Sequence, residues 1–289
     1  MSPVLSWYAR HARDLPWRQP DTTPWAVLVS EIMLQQTPVK RVLPAYTTWL
    51  ARWPTPAAMA AATPGDAVRQ WGRLGYPRRA LWLHAAAVAI TAEFHGEVPR
   101  SYAQLRGLPG IGGYTAAAVA SFAFRQRHAV LDTNVRRVLA RVVSGAERAG
   151  ISPTAAEHRL ATSLLPEEPE IAATWAVAVM ELGALVCVSR SPRCADCPIA
   201  ASCAWQLAGK PASDGPARRT QSYQGADRYV RGRLLQALRS SADPVSQAGL
   251  DKTWEDATQR TRALQGLIAD GLVEPLEDGR YQLPGSLIT

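Results

Sequence analysis

Residues 104–124 read QLRGLPGIGGYTAAAVASFAF, and this stretch decides the fold of the chain. Two segments of helical composition flank the sequence LPGIGG. Glycines at Gly110, Gly112 and Gly113 permit a tight hairpin whose backbone can approach another molecule, because no Cβ atom stands in the way. The second segment then presents free backbone N–H groups at its start, which suit a phosphate. The pattern is typical of a helix-hairpin-helix element that binds DNA, although a plain connector between helices has a similar sequence.

The sequence around this element also predicts helices. From about residue 24 to 210, Ala, Leu, Val and Arg recur at helical spacing without a long alternating strand pattern. In SPTAAEHRLATSLL, Ser152 and Pro153 are expected to begin one of these helices. We therefore expect a mainly α fold. The length of 289 residues suggests about two domains, and 47% hydrophobic residues is ordinary for a globular protein.

The N-terminal sequence and the hydropathy pattern favour a cytoplasmic protein. No apolar run reaches the roughly 18 residues that a membrane helix needs. The first twenty residues, MSPVLSWYARHARDLPWRQP, contain no apolar segment of the kind found in secretory signals. We expect no membrane partner.

The charge balance favours a polyanionic partner. The chain has 32 Lys and Arg residues against 24 Asp and Glu residues, which gives a formal net charge of +8. Nucleic acid is the first candidate for such a partner, and a merely basic enzyme is the alternative. Nearly all of the positive charge is arginine, because lysine occurs only at Lys40, Lys210 and Lys252.

The cysteines form one cluster in the sequence CVSRSPRCADCPIAASC, with the spacing C-x6-C-x2-C-x5-C. Four thiolates from one short loop can bind either zinc or a 4Fe–4S cluster. Structural zinc usually takes two C-x2-C pairs, and here one pair has that spacing, followed directly by Pro198. This favours the iron–sulfur cluster over zinc. The expected ligands are Cys187, Cys194, Cys197 and Cys203.

Two arginines, Arg190 and Arg193, lie between the first two cysteines. A metal would hold this loop rigidly, so that little entropy is lost when these side chains bind phosphates. They are therefore candidates for DNA binding, and balancing an anionic cluster is a compatible alternative.

The C-terminal part differs in composition from the rest. Residues 209–225, GKPASDGPARRTQSYQG, are rich in Pro, Gly and Ser and are expected to form a linker. Residues 226–289 predict three helices followed by a β-hairpin around Asp278-Gly279. This order suggests a small winged-helix-like module, which can contact DNA or serve as a structural cap.

Three segments in this order resemble one family: SEIMLQQTPVKRV, LPGIGGYTAAAVASFAF with AVLDTNVRRVLAR, and the cysteine loop. Together they are similar to the helix-hairpin-helix DNA glycosylases that carry an iron–sulfur cluster, of the endonuclease III-like superfamily. The resemblance covers roughly residues 5 to 210 and is strongest to the branch that removes adenine mispaired with 8-oxoguanine. It implies that the cysteines bind a 4Fe–4S cluster.

The family's domain plan can be mapped onto this sequence. Residues 1–22 and 131–208 would form the cluster domain, and residues 23–130 a six-helix domain that contains the hairpin at about 104–124. The resemblance implies that the base to be removed is flipped into a cleft between these domains.

Two carboxyl groups are candidates for the chemistry. Cleavage of an N-glycosidic bond places positive charge on the sugar and negative charge on the base, so one acid donates a proton and one carboxylate stabilises the sugar. Glu31 lies in an apolar helical stretch that would favour its protonated form. Asp132 precedes NVRRVLAR, and as an N-cap it would stay ionised at the positive end of the helix dipole. A satisfied buried acid and a plain helix cap are the structural alternatives.

The resemblance gives these residues roles. It implies that Glu31 protonates adenine N7, that Asp132 is the catalytic aspartate and that Asn134 orients the aspartate and the sugar. Bifunctional relatives place a lysine in the helix after the hairpin, where it forms a Schiff base and nicks the strand. Here that position holds Tyr114, which predicts a monofunctional enzyme and a hydrogen-bonding or helix-packing role for the tyrosine.

Further residues match the positions with which the family reads bases. Amide side chains can probe the gap that a flipped base leaves, and an aromatic wedge offsets lost stacking. Arg78 and Arg79 follow the matching tyrosine and are candidates for phosphate contacts, with a solvated charged turn as the alternative. The candidates for substrate binding are Trp17, Arg18, Leu34, Gln35, Gln36, Tyr76 and Glu181.

One departure concerns the usual sensor of 8-oxoguanine. Well-known members of the branch carry a C-terminal NUDIX-like domain with a Phe-Ser-His loop, whereas this chain has about 65 residues after the linker and no Phe-Ser-His sequence. Recognition of 8-oxoguanine would then depend on residues such as Gln36 and Tyr76. The expected partner is double-stranded DNA with 8-oxoguanine:A or G:A mispairs, bound by a monomer that leaves its abasic product to downstream base-excision-repair proteins. Such a protein is expected in the bacterial cytoplasm, in association with the nucleoid.

Two other functions remain open from the sequence. A thymine glycosylase that acts on G:T mispairs also carries a tyrosine at the position of Tyr114. Glu31 favours adenine, because protonation at N7 needs an acid and thymine has no N7. A non-catalytic iron–sulfur regulator would use the cysteine loop and the tail without needing both Glu31 and Asp132.

Overall fold

The computed structural model describes residues 2–213 and 225–285. Of the expected linker at 209–225, residues 214–224 therefore lie outside the described part of the chain. The mainly α fold class is confirmed. Up to the cysteine loop the helices are α1 (Pro3–His11), α2 (Pro24–Leu34), α3 (Val39–Arg52), α4 (Pro56–Ala60), α5 (Pro64–Trp71), α6 (Arg78–Glu93), α7 (Tyr102–Gly107), α8 (Gly113–Phe122), α9 (Thr133–Val142), α10 (Ala155–Ser163) and α11 (Pro169–Leu185).

The cysteine loop itself contains short helical pieces. Two 3₁₀ turns cover Cys194–Asp196 and Ala200–Ser202, and α12 (Ala204–Leu207) follows the last cysteine. None of the helices in the described part of the chain combines the length and the apolar character that crossing a bilayer requires.

One helix begins two residues later than predicted. The expected start of α10 at Ser152 and Pro153 is wrong, because Thr154 is the N-cap. The Thr154 side chain accepts a hydrogen bond from the backbone of Glu157, and the Glu157 carboxylate accepts one from the backbone N–H of Thr154. This reciprocal capping box satisfies two backbone donors and outweighs the preference for proline in the first turn.

Contacts divide the chain into two units. The described residues of unit 1 belong to Met1–Leu28, Arg100–Arg106 and Ile111–Ala217. Those of unit 2 belong to Val29–Pro99, Gly107–Gly110 and Arg218–Thr289. The domain boundaries expected from the family remain a prediction.

The core of unit 1 forms where α1 and α9 pack against α11. In α9, Val135, Val138 and Leu139 are spaced by three and four residues, so they share one helix face and bury it together. The other helices contribute Val4, Leu5, Trp7, Ala178, Val179 and Leu182 to the same cluster.

The core of unit 2 contains three tryptophans, two of which pack against the third. The ring of Trp49 meets that of Trp53 edge to face at 4.7 Å between centroids and that of Trp71 at 5.6 Å. Such edge-to-face pairs align the ring quadrupoles and bury much apolar area. They join α3 to the end of α5, from which the chain continues to α6.

The C-terminal residues of unit 2 form three helices and a small antiparallel sheet. The hairpin expected around Asp278-Gly279 lies between two paired strands, with Gly279 at φ 79° in the turn. The sheet has the order β1-β3-β2, and interpreting these elements as a winged helix remains a prediction. The elements are α13 (Asp227–Ser240), β1 (Val245–Ser246), α14 (Gln247–Asp251), α15 (Ala257–Ala269), β2 (Glu274–Pro275) and β3 (Arg280–Gln282).

These C-terminal elements are hydrogen-bonded to α5 within unit 2. Arg69 donates to the carbonyl of Ser241 at 2.8 Å, and Arg239 donates in return to the carbonyl of Val68 at 2.8 Å. The backbone N–H of Gly65 donates to Pro284 at 2.7 Å. The C-terminal elements therefore share the fold of unit 2.

Candidate functional site: two carboxyl groups, a hairpin and a four-cysteine loop

The hairpin between α7 and α8 uses its glycines in different ways. Gly110 has φ 73°, and a Cβ atom there would lie 2.5 Å from Cβ of Trp82, so both conformation and packing require glycine. A Cβ on Gly113 would lie 3.0 Å from Nη1 of Arg106, whereas one on Gly112 would meet open space. Gly112 is the N-cap of α8 and supplies no side-chain cap. The hairpin thus starts a ten-residue helix on an uncapped N-terminus.

Asp132 is the N-cap of α9 and holds its carboxylate with two short hydrogen bonds. Its Oδ1 accepts from the backbone N–H of Val135 at 2.6 Å, and its Oδ2 accepts from Nδ2 of Asn134 at 2.6 Å. Burial raises the pKa of Asp132, while these two hydrogen bonds and the charge of Arg137 oppose that rise. The sequence pointed to the helix dipole, which favours the ionised form, whereas desolvation in the structure acts in the opposite direction.

Asn134 is fixed in one orientation by Arg137, a residue that the sequence analysis did not single out. Arg137 Nη2 donates to Asn134 Oδ1 at 2.7 Å and to the carbonyl of Gly183 at 2.7 Å, and its Nε donates to the carbonyl of Cys187 at 2.7 Å. A Cβ atom on Gly183 would lie 2.7 Å from that of Asn134, so α11 approaches α9 closely. A hydrogen-bonded path therefore joins the first cysteine of the loop to Asp132.

The four cysteines line one cavity. Cys203 is buried and the other three are half-buried. In the described part of the chain, no three Cys, His, Asp or Glu side chains approach closely enough to hold a single metal ion. The other residues that line the cavity are Val138, Arg141, Val142, Leu182, Val186, Pro192, Ala200, Trp205 and Gln206.

Arg141 places a buried positive charge beside this cavity, and its role was also missed. Its guanidinium donates to Sγ of Cys187 at 3.4 Å and to the carbonyl of Val188 at 2.8 Å. The centroid of the Trp205 ring lies 4.7 Å from its Cζ atom. A buried arginine against a set of thiols suits an anionic occupant, since a buried charge needs a compensating one.

The two arginines inside the cysteine loop are both exposed. Arg193 Nη2 donates to the carbonyl of Leu185, and its Nε lies 3.7 Å from Oδ2 of Asp196. Both side chains are thus accessible to a ligand, as a phosphate contact requires.

Glu181 is fully buried in α11 and is held by two arginines. Arg13 donates to both carboxylate oxygens at 2.8 Å and 2.7 Å, and Arg18 Nη2 donates to Oε2 at 2.9 Å. Burial alone would raise the pKa of Glu181, but the hydrogen bonds from Arg13 and Arg18 outweigh it and lower the pKa to about 2. The structure thus brings Arg18 and Glu181 together, while Trp17 is buried. The Nη1 atom of Arg18 is buried without a hydrogen-bond partner among the described atoms.

Glu31 lies in α2 with 5% of its surface exposed. Its neighbours Ser30, Ile32 and Met33 are buried as well, in agreement with the apolar setting expected from the sequence. At the end of the same helix, Leu34 and Gln35 are half-buried and Gln36 is exposed.

Tyr114 is the second residue of α8 and is half-buried. Its ring packs against the small apolar cluster of Ala117, Ala118, Val130 and Ala176 in unit 1. The structure therefore gives the tyrosine a packing contact next to the start of the helix.

The segment before α6 presents Tyr76, with 58% of its surface exposed. Arg78 is half-exposed and forms an ion pair of 3.2 Å with Asp270. Arg79 is only 3% exposed, and its guanidinium donates to backbone carbonyls such as that of Ile32 at 2.8 Å. The guanidinium of Arg79 is buried and already hydrogen-bonded inside unit 2. Arg79 is therefore not available for the phosphate contact expected from the sequence.

Comparison with known proteins shows the family to which this fold belongs. Residues 29–164 match the family model described as "HhH-GPD superfamily base excision DNA repair protein". An adenine DNA glycosylase of Mycobacterium tuberculosis (strain ATCC 25618 / H37Rv) is 53% identical, over 98% of this chain and 92% of that protein. An adenine DNA glycosylase of Mycolicibacterium smegmatis is 52% identical, over 99% of this chain and 97% of that protein.

A solved structure of a thermostable thymine-DNA glycosylase shares the fold. It superposes with a TM-score of 0.65 at 26% identity, over 71% of this chain and 94% of that structure. The chain belongs to the HhH-GPD superfamily of base excision DNA repair proteins and, within it, to the family of adenine DNA glycosylases. The resemblance inferred from the sequence is confirmed.

Proposed function

We propose that this chain is a monofunctional DNA glycosylase that removes adenine mispaired with 8-oxoguanine or guanine by hydrolysis of the N-glycosidic bond. The observation that carries the proposal is the fixed carboxylate of Asp132, held by two hydrogen bonds of 2.6 Å. A glycosylase needs such a group, because its transition state resembles an oxocarbenium ion on the sugar. A carboxylate that is already oriented stabilises this charge without reorganisation.

Glu31 would be the general acid. A carboxyl group that is 5% exposed in an apolar helix is suited to donating a proton to the leaving base. Adenine accepts a proton at N7 and thymine has no N7, so an acid in this role favours adenine. Asn134 would orient Asp132, and Tyr114 would contribute a hydrogen-bonding group near the start of α8.

The base and its opposite partner would be bound by the residues at the other predicted positions. The buried Nη1 atom of Arg18, which has no partner among the described atoms, is available to a ligand next to Trp17 and Glu181. Leu34, Gln35, Gln36 and Tyr76 would contact the bases at the mispair. The phosphates would be met by the hairpin glycines and by Arg78, Arg190 and Arg193.

The absence of a lyase step is part of the proposal. The position at which lyase relatives carry a lysine holds Tyr114, and a phenol cannot form a Schiff base. Borohydride should therefore trap no covalent complex with DNA, and strand cleavage should appear only after treatment with alkali.

The cysteine cavity fits a 4Fe–4S cluster. Four cysteines line it together with apolar side chains, and Arg141 supplies a buried positive charge to offset an anionic cluster. When bound, such a cluster supplies a redox-active centre and cross-links the loop. Iron and sulfide analysis of the purified protein should give about four of each per chain. In a Cys194→Ser variant the iron and sulfide contents should both fall. Zinc in place of iron and sulfide in the purified parent protein would contradict the assignment.

The partner would be double-stranded DNA that carries these mispairs. The net charge of +8 supports it, because counterion release favours binding of a basic protein to the duplex. A monomer in the bacterial cytoplasm, followed by downstream repair proteins that process the abasic site, is consistent with this activity.

A single-turnover assay tests the function. Duplexes with adenine opposite 8-oxoguanine, adenine opposite guanine, and thymine opposite guanine are incubated with excess protein and analysed with and without alkali. We expect alkali-dependent cleavage at adenine in the first two duplexes. Cleavage only at thymine would instead show the activity named for the thermostable structural neighbour.

Glu31→Gln separates catalysis from mere DNA binding. This variant should bind the mispaired duplex as the parent does and should lose turnover by about two to four orders of magnitude. If the parent and Glu31→Gln bind the duplex equally well and neither shows turnover, the result would favour a non-catalytic regulator.

A further inference from the structure

Two residues of unit 2 adopt a backbone conformation that side chains other than glycine rarely take. Gln36 has φ 55° and Tyr76 has φ 47°. Each such conformation is energetically unfavourable and persists only where the surroundings hold it. Both residues are exposed and both are candidates for contacting the base opposite the excised adenine. We call residues 35–38 the Gln36 loop and residues 72–77 the Tyr76 loop.

Arg79 holds the Gln36 loop through the end of α2. Its Nη1 donates to the carbonyls of Ile32 at 2.8 Å, Met33 at 3.1 Å and Gln35. The last carbonyls of a helix have no partner within the helix, so one guanidinium here satisfies several of them at once. These contacts fix the chain on the N-terminal side of Gln36.

The same guanidinium holds the Tyr76 loop. Its Nη2 donates to the carbonyl of Gly75 at 3.0 Å and to Oγ1 of Thr37 at 3.0 Å. Its Nε donates to the carbonyl of Tyr76 at 3.4 Å. Thr37 Oγ1 adds a second link between the two loops, since it donates to the carbonyl of Leu74 at 3.2 Å.

Aromatic rings complete the surroundings of this arginine. Its Cζ atom lies 5.1 Å from the ring of Trp71 and 5.4 Å from that of Tyr76, distances at which a cation is attracted to the ring. Burial lowers the pKa of Arg79 to about 10, so the guanidinium stays charged at neutral pH. The N–H groups of Arg79 thus donate to carbonyls of both loops, and its positive charge lies near the rings of Trp71 and Tyr76.

We infer that Arg79 is a positioning residue that couples the Gln36 loop to the Tyr76 loop and so sets the enzyme's preference for the base opposite adenine. The inference rests on the proposed function for its effect on the reaction. Lysine keeps the charge but lacks the planar set of donors, so it cannot bind the carbonyls of both loops together. Arg79→Lys should therefore release the two loops jointly.

The first test measures loop order without any reaction. Amide hydrogen exchange at residues 35–37 and 74–76 should become about tenfold faster or more in Arg79→Lys, in both loops together. Arg69→Lys is the matched control, because Arg69 also donates to backbone carbonyls at the end of a helix in unit 2. The control should leave exchange in these two loops unchanged. Exchange that rises in neither loop, or in one only, overturns the inference.

The second test measures opposite-base preference. The ratio of affinities for a duplex with a non-hydrolysable adenine analogue opposite 8-oxoguanine and for the same duplex with the analogue opposite guanine should fall about tenfold in Arg79→Lys. Single-turnover excision from a saturated G:A duplex should change by less than about threefold, because loss of recognition need not alter the chemical step. An equal loss of affinity for both duplexes would indicate general destabilisation of the protein and contradict the specific role of Arg79.

A double-mutant cycle tests whether Arg79 acts through Tyr76. In a Tyr76→Ala background, Arg79→Lys should reduce the preference ratio little further, because residues that act as one unit are not additive. If the factors by which Arg79→Lys and Tyr76→Ala each reduce the preference ratio simply multiply in the double variant, the coupling is contradicted.

A milder variant covers a failure of Arg79→Lys to fold. Thr37→Val removes the second link between the loops and should change exchange and preference in the same direction by a smaller factor. If the parent enzyme excises no adenine, the proposed function fails, while the exchange experiment still decides whether Arg79 couples the loops.

Discussion

At the scale of single residues, the proposed catalytic carboxylate of Asp132 depends on the neighbour that orients it. Burial raises the pKa of Asp132, and the hydrogen bond from Asn134 Nδ2 at 2.6 Å is one of the effects that oppose the rise. The proposed mechanism needs the ionised form of Asp132. The partner of Asp132 therefore influences the pH range in which the enzyme works.

Asn134→Ala should move the acidic limb of the pH–rate profile to higher pH. Removal of the hydrogen bond raises the pKa of Asp132 further, so that the carboxylate is lost to protonation earlier as the pH falls. Single-turnover rates across the acidic and neutral range measure the shift, with a loss of roughly tenfold to hundredfold on the limb. Thr133→Ala, at an exposed neighbouring position of α9, should leave the limb in place. A uniform loss of rate at every pH would contradict the assignment.

Glu181 gives a second residue-scale prediction, which concerns stability. Its folded-state pKa of about 2 lies below the ordinary value of 4.5. A carboxylate with a lowered folded pKa stabilises the protein above its unfolded pKa, and this contribution is lost as the pH falls through the folded value. The difference corresponds to about 3 kcal/mol at neutral pH.

Glu181→Gln should therefore lower the free energy of unfolding by about 3 kcal/mol at pH 7, with a gap to the parent that closes from about pH 4.5 down to pH 2. Urea unfolding at a series of pH values measures it. Glu170→Gln, at an exposed position of the same helix, should show no comparable gap. A gap that stays constant with pH would mean that packing, rather than the ion pairs with Arg13 and Arg18, accounts for the loss.

The sequence was sufficient to predict candidate site residues that can be recognised from residue type and spacing alone. The cysteine pattern and the positions of Glu31 and Asp132 could be found in this way. Arg79, Arg137 and Arg141 could not be assigned most of their contacts, because backbone carbonyls accept most of their hydrogen bonds and a carbonyl has no sequence signature. A spacing of three residues does place Arg137 on the same helix face as Asn134, and this was the available signal.

At the scale of elements, the hairpin between α7 and α8 offers a matched pair of substitutions. Gly110 has φ 73° and lies against Trp82, whereas a Cβ atom on Gly112 would meet nothing within 4 Å. Both residues occur in the same short motif, so the sequence alone treats them alike. The difference comes from the approach of α6, which the local sequence does not contain.

Gly110→Ala should lower the free energy of unfolding by about 1–3 kcal/mol, through a strained conformation and a clash with Trp82. Gly112→Ala should change it by less than about 0.5 kcal/mol. Thermal and urea unfolding of both variants provide the comparison. Equal losses would show that the motif tolerates no Cβ atom anywhere and would contradict the role of Trp82.

Helix starts show how local signals compete. The sequence Ser152-Pro153-Thr154-Ala155-Ala156-Glu157 contains two possible N-caps. Proline in the first turn favoured the earlier one, but Thr154 and Glu157 cap each other reciprocally and α10 begins at Ala155. The sequence contained the correct signal, and a capping box that satisfies two donors is the stronger of the two.

At the scale of the whole molecule, the class of fold followed from a few motifs, whereas the place of the C-terminal elements did not. Sequence composition suggested a separate module after a linker. In the structure the described C-terminal residues belong to unit 2 and are hydrogen-bonded to α5. These contacts join residues about 170 positions apart in the chain, so no local pattern could have indicated them.

The reciprocal arginine contacts predict that the C-terminal elements stabilise unit 2. Arg239 is largely withdrawn from solvent, burial lowers its pKa to about 10, and its Nε donates to the carbonyl of Val68 at 2.8 Å. Arg239→Ala would leave that carbonyl without its partner and open space where the side chain packs between α13 and α5. A buried acceptor without a donor costs about 1–3 kcal/mol. The free energy of unfolding of unit 2 should therefore fall by that amount.

Thermal unfolding followed by hydrogen exchange in α5 measures this loss. Arg233→Ala is the control, because it removes a similar charge from an exposed position of the same helix. The expected result is faster exchange in α5 for Arg239→Ala alone. If exchange in α5 is unchanged while α13 loosens, the C-terminal elements form an independent module, and recognition of the mispair would then have to be tested with and without it. If both helices loosen together, α5 and the C-terminal elements unfold as one cooperative body.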